Sequence, residues 1–95
     1  MPLFTLIGRD GPHGLELRKT QRDLHLQKLR PLSAQGRVKF AGPLRNEAGE
    51  PKGSVIIFEA ADLREAKAIA AADPYTTSGV FETVEVFETL QVFPE

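Results

Sequence analysis

The chain has no cysteine and only two histidines, one tyrosine and one methionine among its 95 residues. Without cysteine there is no disulfide, no thiolate metal site and no cysteine nucleophile. His13 and His25 are too few and too far apart to suggest a zinc or iron centre, so no metal is expected. Long apolar runs are missing as well. None approaches membrane-spanning length, and the short apolar alternation after Met1 is not the basic start and apolar core of a signal peptide. Twelve basic residues nearly cancel thirteen acidic ones, so no electrostatic footprint for nucleic acid is visible. The basic residues from Arg18 to Arg30 are interleaved with Glu16 and Asp23, the pattern of a solvated helix face. These absences point to a soluble protein of a reducing compartment, most simply the cytoplasm, with neither membrane nor nucleic acid as partner.

What is present fits one small domain over residues 1–95. PLFTLIGRDG is a short apolar strand stopped by the turn-rich DGPHG. A helix is expected from about Leu15 to Ala34, with a kink or break at Pro31, because an interior proline removes a backbone hydrogen bond at a cost of ~3 kcal/mol. Gly36 is placed to end it. RVKFAGPL reads as a second strand, RNEAGEPKG as a polar turn and GSVIIFEA as a third strand. Asp62 caps a second helix, with Glu65 three residues on. That helix runs to about Asp73, where Pro74 forbids easy continuation. VFETVEVFETLQVF, Val80 to Phe93, is a long fourth strand or a bent pair. The order is βαββαβ, which predicts an α+β, ferredoxin-like sandwich with two helices on one face of a four-stranded antiparallel sheet.

The other sheet face is also apolar. Ile56 and Phe58 point one way, Val55 and Ile57 the other. In the last strand Val80, Val84, Val86, Leu90 and Val92 share one side, while Phe81, Phe87 and Phe93 recur on the opposite side. A sheet with one wet face alternates more cleanly than this. A second copy packed sheet to sheet is the economical cover, so a homodimer is expected.

On helical wheels at about 100° per residue, His25 falls within the apolar arc of Leu24, Leu29 and Leu32, although Lys28 intrudes. Asp73 falls beside Ala66, Ile69 and Ala70, on the inward face of the second helix. An aspartate at the carbonyl end of a helix has the wrong sign for the helix dipole. An inward imidazole beside an inward carboxylate can form a general base, in which the carboxylate orients the ring and stabilises the imidazolium. The bland alternatives are a satisfied core histidine and an aspartate capping a turn. Tyr75 could orient a ligand or simply pack. Ser54, at the entry to a buried strand, could line a pocket or bond to backbone. Gly42 and Pro43 allow close approach of a ligand or merely mark a strand edge. His13 reads as an exposed turn residue. No glycine-rich phosphate loop or serine-hydrolase motif is present.

The segments RDLHLQKL, GRVKFAGPL, GSVIIFEA and ADPYTTSGVFETVEV, in this order and spacing, resemble the YCII-related (YciI-like) family over nearly the whole chain. The resemblance implies a ferredoxin-like subunit assembled as a dimeric α+β barrel, with an active site built on a histidine and an aspartate. These correspond to His25, in the RxxHL pattern from Arg22, and to Asp73 of ADPY. Gly42, Pro43 and Ser54 match positions around the pocket. One member type eliminates hydrogen chloride from a chlorinated lactone-like ring compound with such a pair. Two departures bear on the first helix: Asp23 stands where the family often has proline, and Pro31 where it has an ordinary helix former. Both affect how that helix bends, and hence the distance from His25 to Asp73.

Two functional classes follow. One is a cofactor-independent lyase or isomerase for a small molecule, with His25 and Asp73 as general base and Ser54, Tyr75, Gly42 and Pro43 around the substrate. The other is a non-catalytic ligand-binding or accessory module using the same pocket. Hydrogen-bond reach between His25 and Asp73, together with an opening of the ring to a cavity, favours the first.

Overall fold

Alternation in LFTLIG and SVIIFE decides which side of the sheet is covered. The computed structural model describes residues 1–95. Its elements are β1 (Leu3–Asp10), α1 (Gly14–Ala34), β2 (Val38–Arg45), β3 (Pro51–Glu59), α2 (Leu63–Ala72), the one-turn α3 (Pro74–Thr77) and β4 (Phe81–Thr89). The strands pair antiparallel in the order β2-β3-β1-β4, which is the expected ferredoxin-like arrangement. Phe4 lies opposite Phe58 and Leu6 opposite Ile56, while Leu6 and Gly8 face Val86 and Val84 across the other edge of β1. With Ala60, Ala66, Ala70, Tyr75 and Val80 they form the core between sheet and helices. Each large side chain fully buried here contributes roughly 1.5–3 kcal/mol. No helix is long and apolar enough to cross a membrane.

The helix ends follow their sequence signals closely. Gly36 takes φ 73°, with Gly36 N–H donating to the Ser33 carbonyl and Arg37 N–H to that of Leu32. This paired closure requires a left-handed residue, which glycine adopts without strain. Asp62 caps α2 by accepting from Glu65 N–H at 2.8 Å. Of the kink or break expected at Pro31, the break does not occur; α1 runs through it to Ala34. Pro31 stands in the last turn on an exposed surface, where only one backbone donor is missing.

Two expectations of side-chain direction are corrected. Leu24 is half exposed, and the inward stripe of α1 consists of Gly14, Arg18 and His25, with Leu17 and Leu29 packed beside it. Arg18 therefore does not belong to a solvated face. Phe81 does not share a side with Phe87: it is buried, whereas Phe87 is half exposed. Arg9 pairs with Thr83 but Asp10 with Phe81, so β4 carries one extra residue at this point. Such a bulge reverses the facing of everything beyond it. The strand also ends at Thr89, leaving Leu90, Val92 and Phe93 exposed. On the sheet face away from the helices, Ile7 pairs with Val55 and Thr5 with Ile57, and Phe40 and Phe87 remain 56% and 50% exposed.

Gly53 of β3 lies against the backbone of β1. A Cβ at Gly53 would stand 2.5 Å from the Gly8 carbonyl oxygen, and backbone cannot yield as a side-chain tip can. Gly53→Ala is expected to lower stability by about 1–3 kcal/mol, the usual range for overpacking. Gly49→Ala, at a positive φ but with open space around it, should cost only about 1 kcal/mol. Urea unfolding of the two variants checks this ranking.

Candidate active site

Asp73 serves two helices at once. It ends α2 and, in an extended conformation at φ −63° and ψ 131°, becomes the N-cap of α3. Its Oδ1 accepts from Tyr75 N–H at 2.8 Å, and Pro74 occupies the first turn of α3, where its missing donor is harmless. A carboxylate at this junction suits the amino end of α3 as much as it mismatches the carbonyl end of α2. The sequence reading located the residue but missed α3, a single turn too short to show periodicity.

The same Oδ1 also lies 2.8 Å from His25 Nδ1. Both side chains are buried, and neither Asp23 nor Pro31 has opened the distance. An oxygen that already accepts a backbone N–H is an acceptor toward the imidazole too, so Nδ1 donates its proton. In the neutral ring Nε2 then carries the lone pair. The imidazole stacks on Tyr75, with ring centroids 3.9 Å apart and planes within 3°. Tyr75 is in turn braced edge-on by Phe81 at 5.7 Å.

Beside this stack lies a cavity of about 300 Å³, lined by His25, Tyr75, Ser54, Gly42 and Pro43 among others. All the proposed substrate-side positions thus meet on one cavity, with Asp73 behind the imidazole rather than on the wall. Gly42 and Pro43 belong to edge strand β2, where Pro43 pairs with Ser54 and proline is tolerated. Ser54 Oγ does not bond to backbone; it accepts from Arg18 Nη2 at 3.0 Å.

Arg18, Arg22 and Asp10 escaped the sequence reading. Arg18 and Arg22 line the cavity. Arg18 is held bidentately by Asp10, Nε to Oδ2 at 2.7 Å and Nη2 to Oδ1 at 2.9 Å, and its guanidinium carbon lies 5.0 Å from the centre of the Tyr75 ring. Gly14 permits this pairing, since a Cβ there would fall 2.6 Å from Asp10 Oδ2. A signal existed. Seven residues from His25, Arg18 returns to within about 20° of it on the wheel, but a wheel centred on Leu24 hid that coincidence. No group of three or more His, Asp or Glu side chains is gathered as for a metal ion.

The model of the YCII-related domain matches residues 2–90. Protein YciI of Escherichia coli O6:H1 is 37% identical over 86 residues, spanning 84% of this chain and 88% of its own. An uncharacterized protein of Haemophilus influenzae is 36% identical over 85 residues, spanning 82% and 86%. Among solved structures, 5-chloro-2-hydroxyhydroquinone dehydrochlorinase (TftG) from Burkholderia phenoliruptrix AC1100, in complex with 2,5-dihydroxybenzoquinone, superposes with a TM-score of 0.83 at 28% identity over 94% of both chains. A putative antibiotic biosynthesis monooxygenase from Bacteriodes thetaiotaomicron shares only the fold, with TM-score 0.57 and 14% identity over 98% of this chain and 90% of its own.

Burial pushes the Tyr75 phenol above its ordinary value of 10.0, although the charges of Arg18 and Arg22 pull it down. The folded chain therefore holds this proton after the unfolded chain has released it. The associated stability is complete below about pH 10 and is lost as pH rises through the folded-state value. Tyr75 is the only tyrosine, so phenolate absorbance reports it alone. The titration midpoint should lie above that of the urea-unfolded chain, and Tyr75→Phe should remove the matching alkaline loss of stability.

Proposed function

The chain belongs to the YCII-related family, and we propose that it is a cofactor-independent enzyme, a lyase or isomerase of small ring compounds, in which His25 is the general base. The observation that carries this reading is the asymmetry of one imidazole: Nδ1 is tied to buried Asp73, while the ring itself lines a cavity. Nε2 is thereby left as the basic atom for a bound molecule. The similarity to a dehydrochlorinase across 94% of both chains supports the choice of ring compounds. That relative acts, by its name, on a hydroxyhydroquinone rather than a lactone-like ring.

The step follows from this geometry. Nε2 takes a proton from a ring carbon next to a carbonyl or from the enol hydroxyl of such a ring, and either loss leaves an enolate. Asp73 stabilises the imidazolium that forms. Collapse of the enolate then either expels a leaving group such as chloride or accepts the proton back at another position. In the first case the proton later leaves His25 for solvent, so the ring compound has lost hydrogen chloride. Tyr75, Ser54, Gly42 and Pro43 shape the substrate's seat. General bases of this kind contribute roughly 10²–10⁴-fold.

The active form is a homodimer. Ile7, Val55, Ile57, Phe40 and Phe87 form an apolar sheet face that nothing in the single chain covers, and a second copy packed on it supplies the missing layer.

His25→Ala should lower turnover of halogenated hydroxyhydroquinones by about 10²-fold or more, read as chloride release. Asp73→Asn keeps a side-chain oxygen for the α3 cap and should lose activity with little loss of stability. Full turnover in His25→Ala overturns the base assignment, and tight binding without turnover across a halogenated and keto-acid panel favours the ligand-binding module. Light scattering should report a dimer, and Phe87→Glu together with Ile57→Glu should convert it to monomer.

A further inference from the structure

The charges around the cavity are unevenly compensated. The charged side chains on its wall, His25 apart, are Arg18 and Arg22, and no carboxylate lines it. Asp10 spends both oxygens on Arg18, and Arg18 spends Nε and Nη2 on Asp10 and Ser54. That leaves Nη1 of a buried, immobilised guanidinium without a partner. Asp73 stands behind His25 and is engaged there. Arg22, one helical turn from Arg18 on α1, is exposed and forms none of the chain's ion pairs. A cation facing a confined apolar space, with no acid to neutralise it, concentrates anions there.

Building on the His25 reading, we propose that the site selects ring compounds that are already anionic, such as ionised hydroxyquinones or ring carboxylates, received by Arg18 Nη1 and Arg22. Arg18 is the preset donor: its planar fork is locked by Asp10, so little motion is lost when an oxyanion binds. Arg22 supplies the unneutralised charge that draws the anion in. The same pair stands ready for the enolate oxygen that forms when His25 removes a proton, so one end of the cavity serves both binding and the developing charge.

A matched pair of probes separates charge from shape. 2,5-Dihydroxybenzoquinone is a vinylogous carboxylic acid, ionised at neutral pH; its dimethyl ether has the same ring and no charge. Calorimetric titration of the dimer should show the anion binding at least tenfold more tightly, with the preference shrinking as salt is raised. Arg18→Gln strands Asp10 in a buried setting and risks unfolding, so the deciding variant is exposed Arg22→Gln, expected to cut the preference about tenfold. Arg22→Lys should keep most of it. Equal affinity for the two probes, binding of neither, or an undiminished preference in Arg22→Gln overturns the proposal. The proton-transfer reading fails differently, through unchanged turnover in His25→Ala, a variant that should still prefer the anion.

Discussion

One carboxylate oxygen holds the site together. Asp73 Oδ1 receives Tyr75 N–H and His25 Nδ1 at 2.8 Å each, and these two contacts join three segments. They cap α3 where α2 ends and fasten α1 across the core. A buried carboxylate left without such donors is strongly unfavourable. The arrangement therefore persists only while the imidazole and the helix turn are both in place. The stack of His25 on Tyr75 follows from it, because the residue whose amide caps the carboxylate also carries the ring on which the imidazole lies.

A second buried pair lies beside the same tyrosine ring. Asp10 and Arg18 satisfy one another bidentately at the point where β4 bulges against β1. The bulge turns Phe81 inward, and Gly8 leaves it room, since a Cβ there would meet the ring at 2.6 Å. Phe81 then supports Tyr75. Thus an irregularity of one residue in an edge strand helps fix the aromatic ring at the centre of the site. Buried ion pairs often add little net stability over apolar replacements, though breaking one is costly. Here the Asp10–Arg18 pair and the Asp73–His25 hydrogen bond orient groups that line the cavity, a sufficient reason for the fold to retain them.

Much of this was legible in advance. The strand alternation, the Asp62 cap and the Gly36 stop are local signals, and each depends on a few neighbouring residues. His25 and Asp73 were visible as polar residues intruding on apolar helix faces. Arg18 was not, because a basic residue among Glu16 and Asp23 looks solvated until the partner from β1 is known. Phe81 was misplaced because a bulge breaks strict alternation without leaving a mark in composition. The α3 turn was too short to show periodicity, although an Asp73 that caps a turn was one of the readings its sequence left open.

The sequence by itself determined the order of the four strands and two long helices, the family, the two-sided apolar sheet and the pair of titratable residues on inward helix faces. These rest on periodicity, caps and motif order, which are properties of contiguous chain. Only the tertiary structure decided that His25 and Asp73 meet at one oxygen, that Arg18 turns inward to Asp10, and that Arg22 is left uncompensated beside the cavity. Those facts depend on which strands and helices come together across the core, and short-range pattern carries no record of distance between residues 48 positions apart.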